Sequence, residues 1–157
     1  MSLLTQILPP ANIFLDMDVG SKKRVFEQIG IVFENSHGIA RSVIFDSLFA
    51  REKLGSTGLG QGVAIPHGRI KGLKDATGAF VRLKEPISYD APDGKPVNLI
   101  FVLLVPANAT DLHLQILSEL AQLFSDKRIR EALADVAEPA EAWKLISLWE
   151  PYNGEAV

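Results

Sequence analysis

The chain has 157 residues, 47% of them apolar and 22% charged, with a formal net charge of −3 and an isoelectric point near 5.6. One domain is expected, long enough to bury about 70% of its unfolded surface, and nothing in the charge balance supports sequence-independent nucleic-acid binding. The absence of cysteine excludes disulfides, thiolate nucleophiles and cysteine-ligated metals.

In chain order, Leu3–Leu8 is a short apolar start closed by Pro9-Pro10. Ser21 reads as an N-cap, with Val25, Phe26, Ile29, Val32 and Phe33 at helical spacing and Gly38 as the stop. Lys22-Lys23-Arg24 is the only compact basic run. It sits at a helix start, where the dipole disfavours cations, so it reads as a solvated helix start or a docking patch. A second helix over Arg41–Leu54 would bury Ile44, Phe45, Leu48 and Phe49 and stop at Gly55; His37 caps the helix before it.

Val63–Pro66 reads as a brief strand ending at His67, and Ala76–Leu83 and Ile87–Asp90 as two further strands. Asp93-Gly94 marks a turn back toward Val97. Leu99–Val105 is continuously apolar, as a strand covered on both faces requires, and is the longest such run. A membrane-spanning helix needs about 20 residues, so no membrane insertion is expected. The start of the chain has no secretory pattern, and a cytoplasmic protein is expected. Thr110 or Asp111 caps a helix to about Phe124, and helices over Asp126–Ala134 and Pro139–Leu148 follow, before a tail over 149–157. The expected fold is a single-domain α/β sandwich with a mixed sheet flanked by helices.

The chemistry concentrates in Gly55-Ser56-Thr57-Gly58-Leu59-Gly60-Gln61-Gly62-Val63-Ala64-Ile65-Pro66-His67-Gly68. Gln61-Gly62 stands where a phosphate-binding P-loop has Lys-Ser/Thr, and Val63 stands where a dinucleotide fingerprint has its third glycine. What remains is an imidazole delivered on a stiff backbone. Pro66 fixes its own φ and restricts Ile65, while Gly68 leaves room for a phosphate or a partner's backbone. A metal hydrolase lacks its ligand motif here, and a serine hydrolase lacks its Gly-x-Ser-x-Gly elbow.

Arg51-Glu52-Lys53-Leu54-Gly55-Ser56-Thr57-Gly58, Ile65-Pro66-His67-Gly68, Leu103-Leu104-Val105-Pro106-Ala107 and His113-Leu114 follow one another in order. Together they resemble the fructose- and mannitol-type IIA domains of the bacterial phosphotransferase system, over about residues 3–146. Leu3-Leu4, Ser21–Arg24 and Pro86–Pro92 bring the chain nearest to the stand-alone nitrogen-regulatory members.

The resemblance implies that His67 accepts a phosphoryl group, at Nε2, from a phosphorylated HPr-type carrier, the nitrogen-type one being expected, without a cofactor or metal. It implies a regulatory output through target proteins such as potassium-transport or sensor-kinase components. The alternatives are onward transfer to a separate sugar-specific IIB protein, or a binding module that transfers nothing.

The resemblance also makes His113 a hydrogen-bond donor to the phosphoryl oxygens and Arg51 their positioning cation. Ser56, Thr57, Gly58 and Arg69 are second-rank contacts, and Arg69 and Lys71 are also candidate partner contacts. From spacing alone other readings stand: His113 repeats with Leu117, Leu120 and Phe124 as a residue bordering the core, and Arg51 suits a helix C-terminus. His37 has no counterpart in the family's site.

Overall fold

The computed structural model describes residues 3–109 and 111–150. Helix α1 (Leu3–Ile7) and a 3₁₀ turn (Pro10–Asn12) lead into strand β1 (Ile13–Met17). Helices α2 (Lys22–His37) and α3 (Arg41–Glu52) follow, then strands β2 (Gly58–Gly60), β3 (Val63–Ala64), β4 (His67–Ile70), β5 (Thr77–Ile87) and β6 (Val97–Pro106). Helices α4 (Asp111–Ser125), α5 (Lys127–Asp135) and α6 (Pro139–Ser147) complete the described chain.

The sheet is mixed, in the order β1-β5-β6-β3-β2, with β4 also on β6. β5 and β6 are antiparallel, with Phe80 opposite Phe101, and β1 lies parallel to β5. β3 and β4 both run parallel to β6, Val63 opposite Leu99 and His67 opposite Leu103. Ile65-Pro66 separates them, because a proline has no N–H to give a ladder. Its carbonyl still accepts from the Leu103 amide at 3.0 Å.

Side chains alternate across β6. Leu99, Phe101, Leu103 and Val105 meet α1, α4, α5 and α6, while Ile100, Val102 and Leu104 meet α2 and α3. β5 divides in the same way, with Phe80 in the first core and Ala79, Val81 and Leu83 in the second. Arg82 points to the first side, where it donates to the Leu133 and Val136 carbonyls and pairs with Asp16. The caps of α2 are as expected: Ser21 Oγ accepts from the Arg24 amide, and Gly38 takes the left-handed conformation at φ 70°.

Several expectations are corrected. β1 is a strand that the sequence reading left unassigned. Ile87 ends the single long strand β5 rather than opening another. His67 begins a strand instead of ending one, and the glycine loop itself contains β2. Phe45 and Phe49 are half-buried, with their rings tilted by 34° and centred 5.0 Å apart. Trp149, placed in the tail by sequence, packs against the first core and donates to Asp126 Oδ2 at 3.3 Å. Asp111 is the first residue of α4; Thr110 and residues 151–157 lie outside the described residues. Among the described residues no helix is long and apolar enough to cross a membrane.

Candidate functional site

His67 is half-buried at the first position of β4, its backbone fixed against the central strand. Nδ1 lies 2.8 Å from the Ile65 carbonyl oxygen. A carbonyl can only accept, so Nδ1 carries the proton and donates it, and the neutral ring keeps its lone pair on Nε2. Burial holds His67 below its ordinary pKa, and the neighbouring Arg51 cation acts in the same direction. The Ile65 hydrogen bond and the Glu52 carboxylate oppose them. At neutral pH the ring is therefore an uncharged nucleophile.

The structure gathers the other principal candidates around this ring. Arg51, in the last turn of α3, donates to the Gly55 carbonyl at 2.8 Å, so its guanidinium spans the start of the glycine loop. His113 lies in the first turn of α4, where backbone N–H groups are unpaired and the helix dipole favours anions. Its Nδ1 is buried without a hydrogen-bond partner among the described residues. Arg69 donates to the carbonyls of Ala107 and Ala109 and brings Nη2 to 3.5 Å from His113 Nε2. That guanidinium thus joins β4 to the loop before α4. Lys71 is exposed nearby in sequence.

Ser56, Thr57 and Gly58 are turned toward the protein. Ser56 Oγ donates to the Tyr89 carbonyl at 3.0 Å and accepts from the Gly58 amide. Thr57 is buried, and its amide and hydroxyl both donate to Glu52, at 2.9 and 2.7 Å. A Cβ on Gly58 would stand 3.0 Å from Ala91 Cβ, so close packing fills that side. Beyond them Gly60, Gln61 and Gly62 all have positive φ, which explains two of the glycines. The turn is held by the Gln61 amide donating to Asp93 Oδ2 at 2.9 Å, and this bond helps keep the Asp93 carboxyl below its usual range.

Two readings of single residues change. The space beside Gly68 is taken by Ser47 of α3, whose Oγ and Cβ an alanine Cβ would meet, so this glycine serves helix–strand packing and not an approaching phosphate. Lys22 is no docking cation: it pairs with Glu52 at 3.8 Å and Asp90 at 3.6 Å and lies over the Tyr89 ring. His37 ends α2, as expected, with Nδ1 on Ser36 Oγ.

Sequence reasoning missed Glu52 and Tyr89 as site-supporting residues. For Glu52 the signal was present in the charges: an anion at the end of α3 and the Lys22 cation at the start of α2 both oppose their helix dipoles, and they pair with each other. Leu54, three residues from Arg51, and Leu112 and Leu114, on either side of His113 in sequence, are exposed, the first by 84%, while the exposed Leu59 lines a cavity with Ala121 and Phe124 of α4. Among the described residues no group of three His, Asp or Glu side chains is placed to hold a metal ion.

A family model described as "Phosphoenolpyruvate-dependent sugar phosphotransferase system, EIIA 2" matches residues 6–148. A Pseudomonas aeruginosa "Nitrogen regulatory protein" is 45% identical over 143 residues, spanning 90% of this chain and 92% of that protein. The crystal structure of nitrogen regulatory protein IIA-Ntr from Neisseria meningitidis superposes with a TM-score of 0.88 at 59% identity, over 92% of this chain and 99% of that one. The crystal structure of IIA mannitol from Escherichia coli, 22% identical, shares the fold with a TM-score of 0.73, over 88% and 97% of the two chains.

Proposed function

Because the chain belongs to the EIIA 2 family of the phosphoenolpyruvate-dependent sugar phosphotransferase system, a family of phosphotransfer components, we propose that His67 is its phosphoryl acceptor, through Nε2. The observation that carries this reading is the Nδ1–H bond to the Ile65 carbonyl, which leaves a neutral Nε2 with its lone pair free.

The donor is a phosphohistidine on an HPr-type carrier of the nitrogen-related branch. The Nε2 lone pair attacks phosphorus in line. A P–Nε2 bond forms as the carrier's P–N bond breaks, and that bond's electron pair returns to the carrier's imidazole. The transferring group holds negative charge on three oxygens, so positioning and electrostatics dominate the catalysis. Arg51 supplies a fixed cation, and the first turn of α4 supplies a positive dipole end together with the His113 ring, whose Nδ1 has no hydrogen-bond partner among the described residues. Arg69 braces His113 and borders the site, while Ser56, Thr57 and Gly58 contribute by holding the glycine loop beside the ring.

The output is regulatory, as the name of the Pseudomonas relative suggests. Phosphorylation adds about −1.5 to −2 charge to a surface whose apolar rim is Leu54, Leu112 and Leu114, the exposed sequence neighbours of Arg51 and His113. A partner that covers this rim in the free state would have to desolvate that charge in the phosphorylated state, so the two forms select different partners. Targets in potassium transport or sensor-kinase signalling fit such a switch.

The test is intact mass after incubation with phosphoenolpyruvate, the general phosphotransferase enzyme and an HPr-type carrier of either branch. An acid-labile gain of about 80 Da, one phosphoryl group, is expected for the wild type and absent in His67→Ala. No gain with either carrier would leave a IIA fold used as a binding module.

A further inference from the structure

Glu52 carries two costs that its position alone does not repay. It lies at the C-terminal end of α3, the negative end of the helix dipole, and it is only 8% exposed. A buried carboxylate persists where donors converge on it, and here they do. The Thr57 amide donates to both carboxylate oxygens, at 2.9 and 3.0 Å, and the Thr57 hydroxyl to the nearer one at 2.7 Å. Lys22 Nζ stands 3.8 Å away on its other side. Tyr89 Oη closes the group at 3.0 Å from Thr57 Oγ1 and is itself 1% exposed.

The same bonds lead to the acceptor ring. The Thr57 carbonyl accepts from the Ile65 amide at 3.0 Å, and the Ile65 carbonyl accepts from His67 Nδ1 at 2.8 Å. Three links therefore run from a buried carboxylate to the nitrogen whose protonation decides where the lone pair sits. Thr57 cannot shift without moving Ile65, and Ile65 cannot shift without releasing Nδ1.

We propose that Glu52 is a positioning residue for phosphoryl acceptance: it fixes, through Thr57 and Ile65, the His67 tautomer that leaves Nε2 free, an inference that rests on the phosphocarrier reading of His67. Glu52 touches neither the ring nor the phosphate. It acts through the length of its side chain, which brings the carboxylate to both donors of Thr57 at once. Lys22 and Tyr89 satisfy its remaining faces and keep it from turning away.

Two conservative substitutions separate reach from charge. Glu52→Asp keeps the charge but draws the carboxylate back by about 1.5 Å, out of hydrogen-bond range of Thr57. Glu52→Gln keeps the length: its oxygen accepts from the Thr57 amide while its NH₂ donates to the Thr57 hydroxyl, which passes its own proton to Tyr89. Amide fingerprint spectra check that both variants are folded. The first readout is the ring ¹⁵N–¹H spectrum of unphosphorylated His67, which reports the tautomer without any transfer reaction. The second is the rate of transfer from the phosphorylated carrier, resolved into kcat and KM.

Glu52→Asp is expected to populate a second His67 tautomer and to lower kcat about tenfold, the scale of a small misplacement of a reacting group, with KM for the carrier unchanged. Glu52→Gln is expected to restore the single tautomer and most of kcat. A single tautomer in Glu52→Asp would overturn the proposal, and so would a second tautomer in Glu52→Gln as large as that in Glu52→Asp. If the wild type accepts no phosphate, the phosphocarrier reading fails by itself, while the tautomer spectra still decide whether Glu52 holds the ring.

Discussion

Gly68→Ala isolates the contact that seats the acceptor strand on α3. The Gly68 backbone lies outside the left-handed region, so an alanine meets no backbone strain there, and the whole effect comes from the space around its Cβ. That Cβ would overlap Ser47 Oγ and stand 3.2 Å from Ser47 Cβ and 3.3 Å from its carbonyl carbon. Rotating the serine hydroxyl away relieves the first contact but breaks its 3.0 Å hydrogen bond to the Arg69 carbonyl, a loss of about 1 kcal/mol. The other two contacts remain tight and push β4 from α3, an overpacking cost of about 2 kcal/mol. Together these give about 3 kcal/mol, a fall in Tm of roughly 6–12 °C for a domain of this size. Urea unfolding of the wild type, Gly68→Ala, Ser47→Ala and the double mutant measures it. Ser47→Ala alone is expected to lose about 1 kcal/mol. The double mutant is expected to fall short of the sum by about 1 kcal/mol, because the hydroxyl that clashes is already gone. A Gly68→Ala stability within about 0.5 kcal/mol of wild type would refute the reasoning, and so would strict additivity in the cycle.

Three further outcomes follow from the geometry. The His67 ring titration, followed by NMR, should have its midpoint below the ordinary value of about 6.5. The nucleophile is then fully available at neutral pH and is lost as pH falls through that depressed value; Arg51→Ala removes a cation that lowers it and should shift the midpoint upward. A wild-type midpoint above the ordinary value would contradict the burial argument. Thr57→Val removes the hydroxyl shared by Glu52 and Tyr89 and should lower unfolding free energy by about 2–3 kcal/mol; an unchanged urea midpoint would dissociate Thr57 from that network. Asp126 caps α5 and accepts from Arg128 and Trp149, which hold its carboxyl down to about 2. Its stabilisation is present above the unfolded carboxyl value of about 3.9 and lost as pH falls toward 2. Asp126→Ala should lower stability at neutral pH by about 1 kcal/mol and flatten the acid limb of a thermal-denaturation series.

What the sequence disclosed and what it hid divide along the range of the interactions. α2 was legible because both of its stops are local: Ser21 bonds three residues ahead, and Gly38 adopts a conformation only glycine takes easily. β6 was legible because a strand covered on both faces must be apolar throughout. β1, β2 and β4 were not, since five, three and four residues carry too little periodicity and become strands only through neighbours distant in sequence. The His67 loop announced itself by residue type, yet its hydrogen-bond chain to Glu52 runs through backbone atoms that no side-chain pattern encodes. Gly68 shows the limit most plainly. A missing Cβ marks a close approach, but the sequence could not say that the approaching group is Ser47.

The most direct measurement is a heteronuclear ¹⁵N–¹H–³¹P spectrum of the protein after phosphorylation by the carrier, read at the His67 ring. Phosphorus coupled to Nε2, with the Nδ1 proton still bonded to the Ile65 carbonyl, is the expected result. Phosphorus on Nδ1, or on any residue other than His67, would contradict the proposed acceptor geometry.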